Sequence, residues 1–323
     1  MRPRARCSWP KPRQPPTHTR SHTKRGRRAL LLSRDHSSLS AWGTLALVRE
    51  RFVAGVGVRE WGGSEEPGIL LWPGLGATGT YFAAVGELLP GRAVAVDPPG
   101  FGRSDPLAAC TYERLVGVAT AVVDACGCQA MVGHSLGAYL ALGVATQPPA
   151  QLRAVVLIDG GFLDAHGMAA LGMPTTAGRE ELTTWLQANA PRFADWDTAV
   201  RELATMFGTL PTPAIAAYAR EILTELDGEI RDPSPPERLA DLVLALVRED
   251  APARAERIQV PTLLIACGQP FDGRAVRENA WQPFVEASPL LALHVADDWG
   301  HNPTLQDPYA SAALITDWLK RHL

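Results

Sequence analysis

The chain contains 323 residues, 46% of them hydrophobic, so it is long enough to bury a substantial core. Its net charge of -3 is unevenly distributed: residues 1–40 hold 11 of the 31 Lys and Arg residues and one acid, whereas the 20 basic and 33 acidic residues of 41–323 give that part a charge of -13. An acidic body disfavours nucleic acid and anionic membranes as partners.

Residues 1–40 are rich in Arg, Pro, Ser and Thr and show almost no apolar periodicity. Because such a segment buries too little surface to offset the entropy of ordering, we expect a disordered basic leader or an over-extended translation start. The five cysteines, an odd number, are predicted to be free structural thiols. Since no stretch approaches the roughly 20 apolar residues of a membrane span, the sequence predicts a cytoplasmic protein.

Strand and helix patterns alternate between residues 41 and 159. Two segments that are joined through glycine and rich in apolar or β-branched residues predict an antiparallel strand pair. Short apolar runs separated by amphipathic helices follow, and this alternation predicts parallel strands with right-handed crossovers. The predicted strands are 43–53, 55–61, 68–72, 93–96, 129–132 and 154–158, and the predicted helices are 81–89, 112–125 and 138–145.

Between residues 160 and 250 the strand signal disappears, and four amphipathic helical patterns are separated by Pro or Gly. This part is predicted to be a helical insertion. The alternation resumes over 251–323, with predicted strands 262–266 and 290–295 and predicted helices 274–286 and 309–319. We therefore expect a core in two parts, 41–159 and 251–323, interrupted by the helical segment.

One five-residue stretch, Gly-His-Ser-Leu-Gly at 133–137, lies between a predicted strand and a predicted helix. In this pattern the serine occupies a sharp strand-to-helix turn, and the elbow glycines Gly133 and Gly137 are needed because a Cβ at either position would collide with neighbouring backbone. The turn exposes the hydroxyl of Ser135 and directs the amide of Leu136 to the same point. Ser135 is thus the candidate nucleophile and Leu136 a candidate oxyanion donor.

Four motifs in this order make the chain resemble the α/β-hydrolase superfamily. They are PGLG at 73–76, DPPGFGRS at 97–104, the serine elbow at 133–137 and WGHNP at 299–303. The resemblance covers about residues 43–323. It implies an α/β fold in which a mostly parallel central sheet is flanked by helices, with a helical cap inserted after the sixth strand.

The resemblance also suggests partners for the serine. Among eight histidines, His301 alone occupies a loop at the end of a core strand, and its imidazole can accept the hydroxyl proton and return it to a leaving group. The family's acid usually follows the seventh strand, which favours Asp272, one residue beyond the usual position. Asp159, at the end of the sixth strand, is the alternative acid. The family's oxyanion loop corresponds to residues 73–76 and makes the backbone N–H of Leu75 the second donor, although Pro73 stands where histidine is usual.

A Ser-His-Asp triad predicts acyl transfer through an acyl-enzyme. The resemblance therefore implies a serine hydrolase acting on a small, mainly apolar ester or related acyl substrate, with no cofactor and no metal. The alternatives are an acyltransferase or carbon–carbon bond hydrolase on the same framework, and a non-catalytic ligand-binding member. Ser135 argues against dehalogenases and epoxide hydrolases, which carry aspartate at the elbow.

Overall fold

The structure, a computed structural model, describes residues 34–39, 45–63, 68–247, 250–268 and 273–323. Within these ranges the strands are β1 (Arg34–Leu39), β2 (Leu45–Val53), β3 (Val56–Trp61), β4 (Gly68–Trp72), β5 (Arg92–Val96), β6 (Cys128–His134), β7 (Ala154–Ile158), β8 (Arg192–Phe193), β9 (Thr224–Leu226), β10 (Glu229–Arg231), β11 (Thr262–Cys267) and β12 (Leu291–Ala296).

The same described ranges contain twelve α-helices. They are α1 (Ala83–Leu88), which continues a 3-10 turn (Gly79–Phe82), α2 (Tyr112–Cys126), α3 (Leu136–Thr146), α4 (Ala165–Ala170), α5 (Arg179–Asn189), α6 (Trp196–Met206), α7 (Pro213–Ile222), α8 (Pro236–Val247), α9 (Ala251–Ala255), α10 (Arg274–Glu286), α11 (Pro303–Gln306) and α12 (Pro308–Leu319).

Nine of the described strands form one sheet in the order β1-β2-β3-β5-β4-β6-β7-β11-β12. The pairings from β1 to β5 are antiparallel, and those from β5 to β12 are parallel. The prediction of a mostly parallel sheet flanked by helices is confirmed. Because β6, β7, β11 and β12 run in the same direction, the loops that follow them meet at one edge, where ligands usually bind in such sheets.

The central strands are buried on both faces, which explains why they are continuous apolar runs in the sequence. In β4, Ile69 and Leu71 face one hydrophobic cluster and Leu70 faces the other. The first cluster packs the sheet against α1 and α12, through residues such as Val85 and Ile315. The second cluster packs it against α2 and α3. The loops at the strand ends are therefore held by a core on both sides.

The inserted segment, residues 160–250, contains α4 to α8 and a small antiparallel sheet in the order β8-β10-β9. The prediction of a helical segment is therefore wrong at β8, β9 and β10, which are short strands. β9 and β10 are joined by Asp227 and Gly228, which both have positive φ (54° and 80°). Asp-Gly between two strands is a strong hairpin signal, and the strands themselves are too short to show an alternating pattern.

The last part of the predicted disordered leader, residues 1–40, also differs from the prediction. β1 pairs with β2 in antiparallel register from Arg34 to Leu39, whereas residues 1–33 lie outside the described residues. With β1 included, the strand that ends at Ile158 is the seventh in chain order and not the sixth. Among the helices that the structure describes, none is both long and apolar enough to cross a bilayer.

Candidate active site

Ser135 lies between the last residue of β6 and the first residue of α3. Its backbone is strained, with φ 52° and ψ -118°, a conformation that costs a non-glycine residue about 1–3 kcal/mol. The turn is held by a hydrogen bond of 2.8 Å from the N–H of Ser135 to the carbonyl oxygen of Ile158 at the end of β7. This geometry places the seryl side chain at the edge of the sheet, as the elbow motif predicts.

The glycines on either side of the turn allow close backbone contacts. A Cβ on Gly133 would lie 2.2 Å from the carbonyl oxygen of Gly137, and a Cβ on Gly137 would lie 2.3 Å from that of Trp72. Both distances are shorter than any real Cβ contact. A larger residue at Gly133 would therefore force β6 and α3 apart, and a larger residue at Gly137 would force α3 away from the end of β4.

His301, in the loop after β12, connects the serine to an aspartate. Its Nε2 lies 2.9 Å from Oγ of Ser135, and its Nδ1 lies 2.6 Å from Oδ2 of Asp159. In sequence, these pairs are separated by 166 and 142 residues. The structure thus joins three of the predicted site residues, Ser135, His301 and Asp159, in one hydrogen-bonded series.

The acid at His301 is Asp159, the alternative of the sequence analysis. Asp159 directly follows β7, has a φ of 49°, and is completely buried at its side chain. Its Oδ1 accepts a hydrogen bond of 2.9 Å from the N–H of Cys267 and forms an ion pair with Arg277. The preferred acid, Asp272, lies outside the described residues. The hydrogen bond at Nδ1 of His301 supports Asp159 as the acid, and the role of Asp272 stays a prediction.

The oxyanion candidates Leu75 and Leu136 both line the cavity next to Ser135. A Cβ built on Gly74 would lie 3.0 Å from Cβ of Ser135, so the loop at 73–76 passes directly beside the serine. Leu136 is the first residue of α3, where a backbone N–H has no partner within the helix. The loop that carries Leu75 and the first turn of α3, which carries Leu136, therefore flank the serine.

His134 is a site residue whose full role the sequence did not reveal. Its Nε2–H donates a hydrogen bond of 2.7 Å to the carbonyl oxygen of His301, and its ring stacks on Tyr81 at 4.5 Å between centroids. Burial lowers the pKa of His134 well below its ordinary value, so the ring is neutral. The elbow and the histidine loop are thus tied together by a contact that lies outside the Ser135–His301 pair.

A cavity of about 440 Å³ opens at the serine, within the range expected for small-molecule sites. Its wall is mainly apolar and comes from both the core and the inserted segment. The apolar lining consists of Leu75, Leu136, Tyr139, Phe162, Leu163, Met168, Leu171, Met173, Val243 and Trp299. The cavity is suited to an apolar group that lies next to the Ser135 hydroxyl.

The charge state of His301 follows from its surroundings. Desolvation of the imidazole, and after it the nearby positive charge of Arg277, lower the pKa of His301 to about 4. Burial likewise lowers the pKa of the Arg277 guanidinium, to about 10. At neutral pH the imidazole is therefore in the form that accepts a proton. Among the described residues, no group of three or more His, Cys, Asp or Glu side chains converges as a metal site requires.

Residues 69–314 match the alpha/beta hydrolase family over more than half of the chain. The chain belongs to the alpha/beta hydrolase family. The family resemblance that the four motifs carry is thereby confirmed.

Solved structures of other proteins share the α/β-hydrolase fold of this family member. An E-2-(acetamidomethylene)succinate hydrolase is 20% identical with a TM-score of 0.66, over 90% of this chain and 100% of that chain. A thioesterase domain from the curacin biosynthetic pathway is 23% identical (TM-score 0.64; 84% and 99%), and an esterase from M. tuberculosis is 18% identical (TM-score 0.63; 86% and 93%). At these identities the likeness concerns the fold.

The family member is also similar to a much longer protein, the polyketide synthase ThaQ from Burkholderia thailandensis. The two are 28% identical over 210 residues, which make up 63% of this chain and 10% of the synthase. The chain therefore spans about a tenth of the length of this curated relative.

Proposed function

We propose that the chain is a serine hydrolase that cleaves a carboxylic ester or a related acyl substrate. The observation that carries the proposal is the hydrogen-bonded series from Oγ of Ser135 through His301 to Asp159. Ser135 is the nucleophile, His301 acts as general base and then as general acid, and Asp159 fixes the imidazole tautomer.

The reaction proceeds in two halves. Nε2 of His301 accepts the hydroxyl proton while Oγ of Ser135 bonds to the acyl carbon, and the carbonyl oxygen becomes negative. The N–H groups of Leu75 and Leu136 stabilise that oxygen, and each lowers the activation barrier by about 3 kcal/mol. His301 then protonates the leaving group as its bond to the acyl carbon breaks. A water molecule then attacks the acyl carbon while His301 takes its proton, and the bond from the acyl carbon to Oγ of Ser135 breaks as His301 returns that proton to Oγ.

The apolar lining of the cavity favours the acyl group as the part of the substrate that binds there. The inserted segment supplies Met168, Leu171, Met173 and Val243 to the wall, so we assign it the role of a cap over Ser135. Burial of a hydrocarbon chain against these side chains stabilises binding by about 0.8 kcal/mol per methylene group. The substrate class is therefore an ester of a small, mainly apolar acid.

An acyl thioester is the second candidate substrate. One of the similar proteins favours it by name, the thioesterase domain from the curacin biosynthetic pathway. A thioester needs the same nucleophile, base and oxyanion donors, and it differs in its leaving group. Hydrolysis of one acyl group offered both as a nitrophenyl ester and as an N-acetylcysteamine thioester separates the two candidates by kcat/KM.

The direct test of the proposed function uses the full chain and a fluorophosphonate probe. We expect the wild-type protein to hydrolyse short-chain nitrophenyl esters and to be labelled at Ser135, as located by peptide mass spectrometry. A folded wild-type protein that neither turns over any ester or thioester of the series nor reacts with the probe would contradict the proposal.

The size of the cavity makes a prediction about acyl chain length. Replacing Met168 with Trp should lower kcat/KM for hexanoyl and longer esters by about tenfold or more, because the indole fills space that the chain occupies. The acetyl ester should change by no more than about twofold. The matched control is Met206→Trp, at a methionine that is exposed at the end of α6. Equal losses for short and long esters would contradict this assignment of the acyl site.

The low pKa of His301 makes a prediction about pH. The base must be unprotonated, so activity falls as the pH drops through the pKa of His301, which lies below the ordinary value of 6.5. We expect the acid limb of kcat/KM in the free enzyme to have its midpoint below pH 6.5. A pH–rate profile in buffers of constant ionic strength measures it, and a midpoint at or above pH 6.5 would be inconsistent with the shift.

A further inference from the structure

Arg277, on α10, reaches the buried side of the proposed acid. The residue is 7% exposed, and its guanidinium lines the cavity beside Asp159. The guanidinium carbon lies 5.5 Å from the ring centre of Phe162, which in turn packs edge-on against Trp281 of α10 at 6.1 Å. The arginine is therefore held by packing as well as by charge.

The two oxygens of the Asp159 carboxylate have different partners. Oδ2 faces Nδ1 of His301 at 2.6 Å, whereas Oδ1 receives the N–H of Cys267 at 2.9 Å and the ion pair with Arg277. Three groups, one from the loop after β12, one from the end of β11 and one from α10, thus fix the plane of the carboxylate. A buried carboxylate without a counter-charge would be strongly destabilising, and Arg277 supplies that charge.

We propose that Arg277 is a positioning residue of the triad: it holds the Asp159 carboxylate toward His301 and offsets the negative charge that the carboxylate presents to the imidazole. This role rests on the proposed function, because it concerns the same serine chemistry. Arg277 differs from a substrate-binding arginine in that its charge is already engaged by Asp159.

The electrostatic part of the role depends on which neighbours are charged. Burial lowers the pKa of His134, raises the pKa of Cys267 to about 12 and raises the pKa of Tyr139, so these three are uncharged near neutral pH. The charged pair at His301 is Asp159 with Arg277, whereas Arg274 and Asp297 pair beside Gly268, nearer the surface. An adjacent carboxylate raises the pKa of an imidazole, and an adjacent guanidinium lowers it. The pair therefore acts as an internally balanced unit.

Three variants test this role through the pH profile. Arg277→Gln removes the charge and should move the acid limb of kcat/KM upward by about one pH unit, with kcat on the plateau lowered about tenfold and KM nearly unchanged. Arg277→Lys keeps the positive charge, so the acid limb of this variant should move by no more than about half a pH unit. The matched control is Arg274→Gln, one turn earlier on α10, where the side chain pairs with Glu278 and Asp297 near the surface; its limb should stay within about 0.2 unit.

A second measurement keeps the test independent of activity and of folding at position 277. An NMR titration of the His301 ring protons in the wild-type protein, assigned by their loss in His301→Gln, should give a pKa below 6.5. The role of Arg277 is overturned if the folded Arg277→Gln variant keeps the wild-type acid limb, if Arg274→Gln shifts it equally, or if wild-type His301 titrates at or above 6.5. A wild-type protein without esterase activity overturns the proposed function, and in that case the same titration in the folded Arg277→Gln variant decides whether Arg277 lowers the pKa of His301.

Discussion

Replacing Ser135 with alanine should lower kcat/KM for ester hydrolysis by at least about 10,000-fold and abolish labelling by a fluorophosphonate. In the proposed mechanism Oγ forms the covalent bond to the acyl group, and Ser135 supplies the hydroxyl that the described residues place at Nε2 of His301. What remains is catalysis by the oxyanion donors and binding alone. Steady-state rates with nitrophenyl butyrate, together with intact-protein mass spectrometry after labelling, measure both effects.

The control for this substitution is Ser234→Ala, at a serine whose N–H caps a turn at Asp232 and which does not line the cavity. It should retain wild-type rates. Undiminished turnover by Ser135→Ala would remove the serine from the mechanism.

The alternative functions predict other reactions. Transfer of the acyl group from Ser135 to an added alcohol faster than to water would favour an acyltransferase. Cleavage of a carbon–carbon bond by a protein that does not hydrolyse esters would favour a carbon–carbon bond hydrolase. A protein that binds such ligands without turnover would be a non-catalytic member.

Replacing Asp159 with asparagine should lower kcat by about 1,000- to 10,000-fold with little change in KM. The carboxylate accepts a hydrogen bond from Nδ1–H of His301 and so presents the lone pair of Nε2 to the serine. An amide in that position favours the opposite tautomer, which has no free lone pair toward Ser135, and it does not stabilise the imidazolium. Steady-state kinetics at pH 7 and fluorophosphonate reaction rates measure the loss.

Asp272→Asn is the comparison that decides between the two acids. Since Asp159 already occupies the position at Nδ1, the Asp272 substitution should change kcat by no more than about threefold. Thermal melting of both variants checks that the fold is retained. Near-normal rates in Asp159→Asn, together with a large loss in Asp272→Asn, would return the acid role to the residue that the family pattern favours.

Much of the fold could be predicted because its buried parallel strands are continuous apolar runs. The strand at 154–158 and the helix at 274–286 agree with β7 and α10 at both ends. The hairpin of β9 and β10 was missed because its strands have three residues each. It is held by the Asp227-Gly228 turn and by the pairing of β10 with β8, and that pairing depends on residues about 40 positions away.

The candidate site, like the fold, could be predicted only in part. Ser135 and its glycines could be predicted because the strain of the turn acts directly on local residue choice. The acid could not be decided, because its position depends on how the loop after β12 meets the ends of β7 and β11. One local signal favoured Asp159: it ends a buried strand and is followed by Gly160, where a Cβ would lie 2.2 Å from the carbonyl oxygen of Ser135. Burial of Arg277 had no signal, since it is one of several charges on an amphipathic helix.

Ser135 and Asp159 share one unusual property, a left-handed backbone at the end of two neighbouring strands. Glycine would adopt either conformation without the energetic cost of a side chain. Selection for a stable fold alone would therefore favour glycine at Ser135, where the proposed chemistry accounts for the hydroxyl, whereas glycine at Asp159 would remove one charge of the buried ion pair with Arg277. In a descendant of this chain that lost its substrate, we therefore expect substitution at Ser135 before substitution at Asp159, and before changes in the sheet or the hydrophobic clusters.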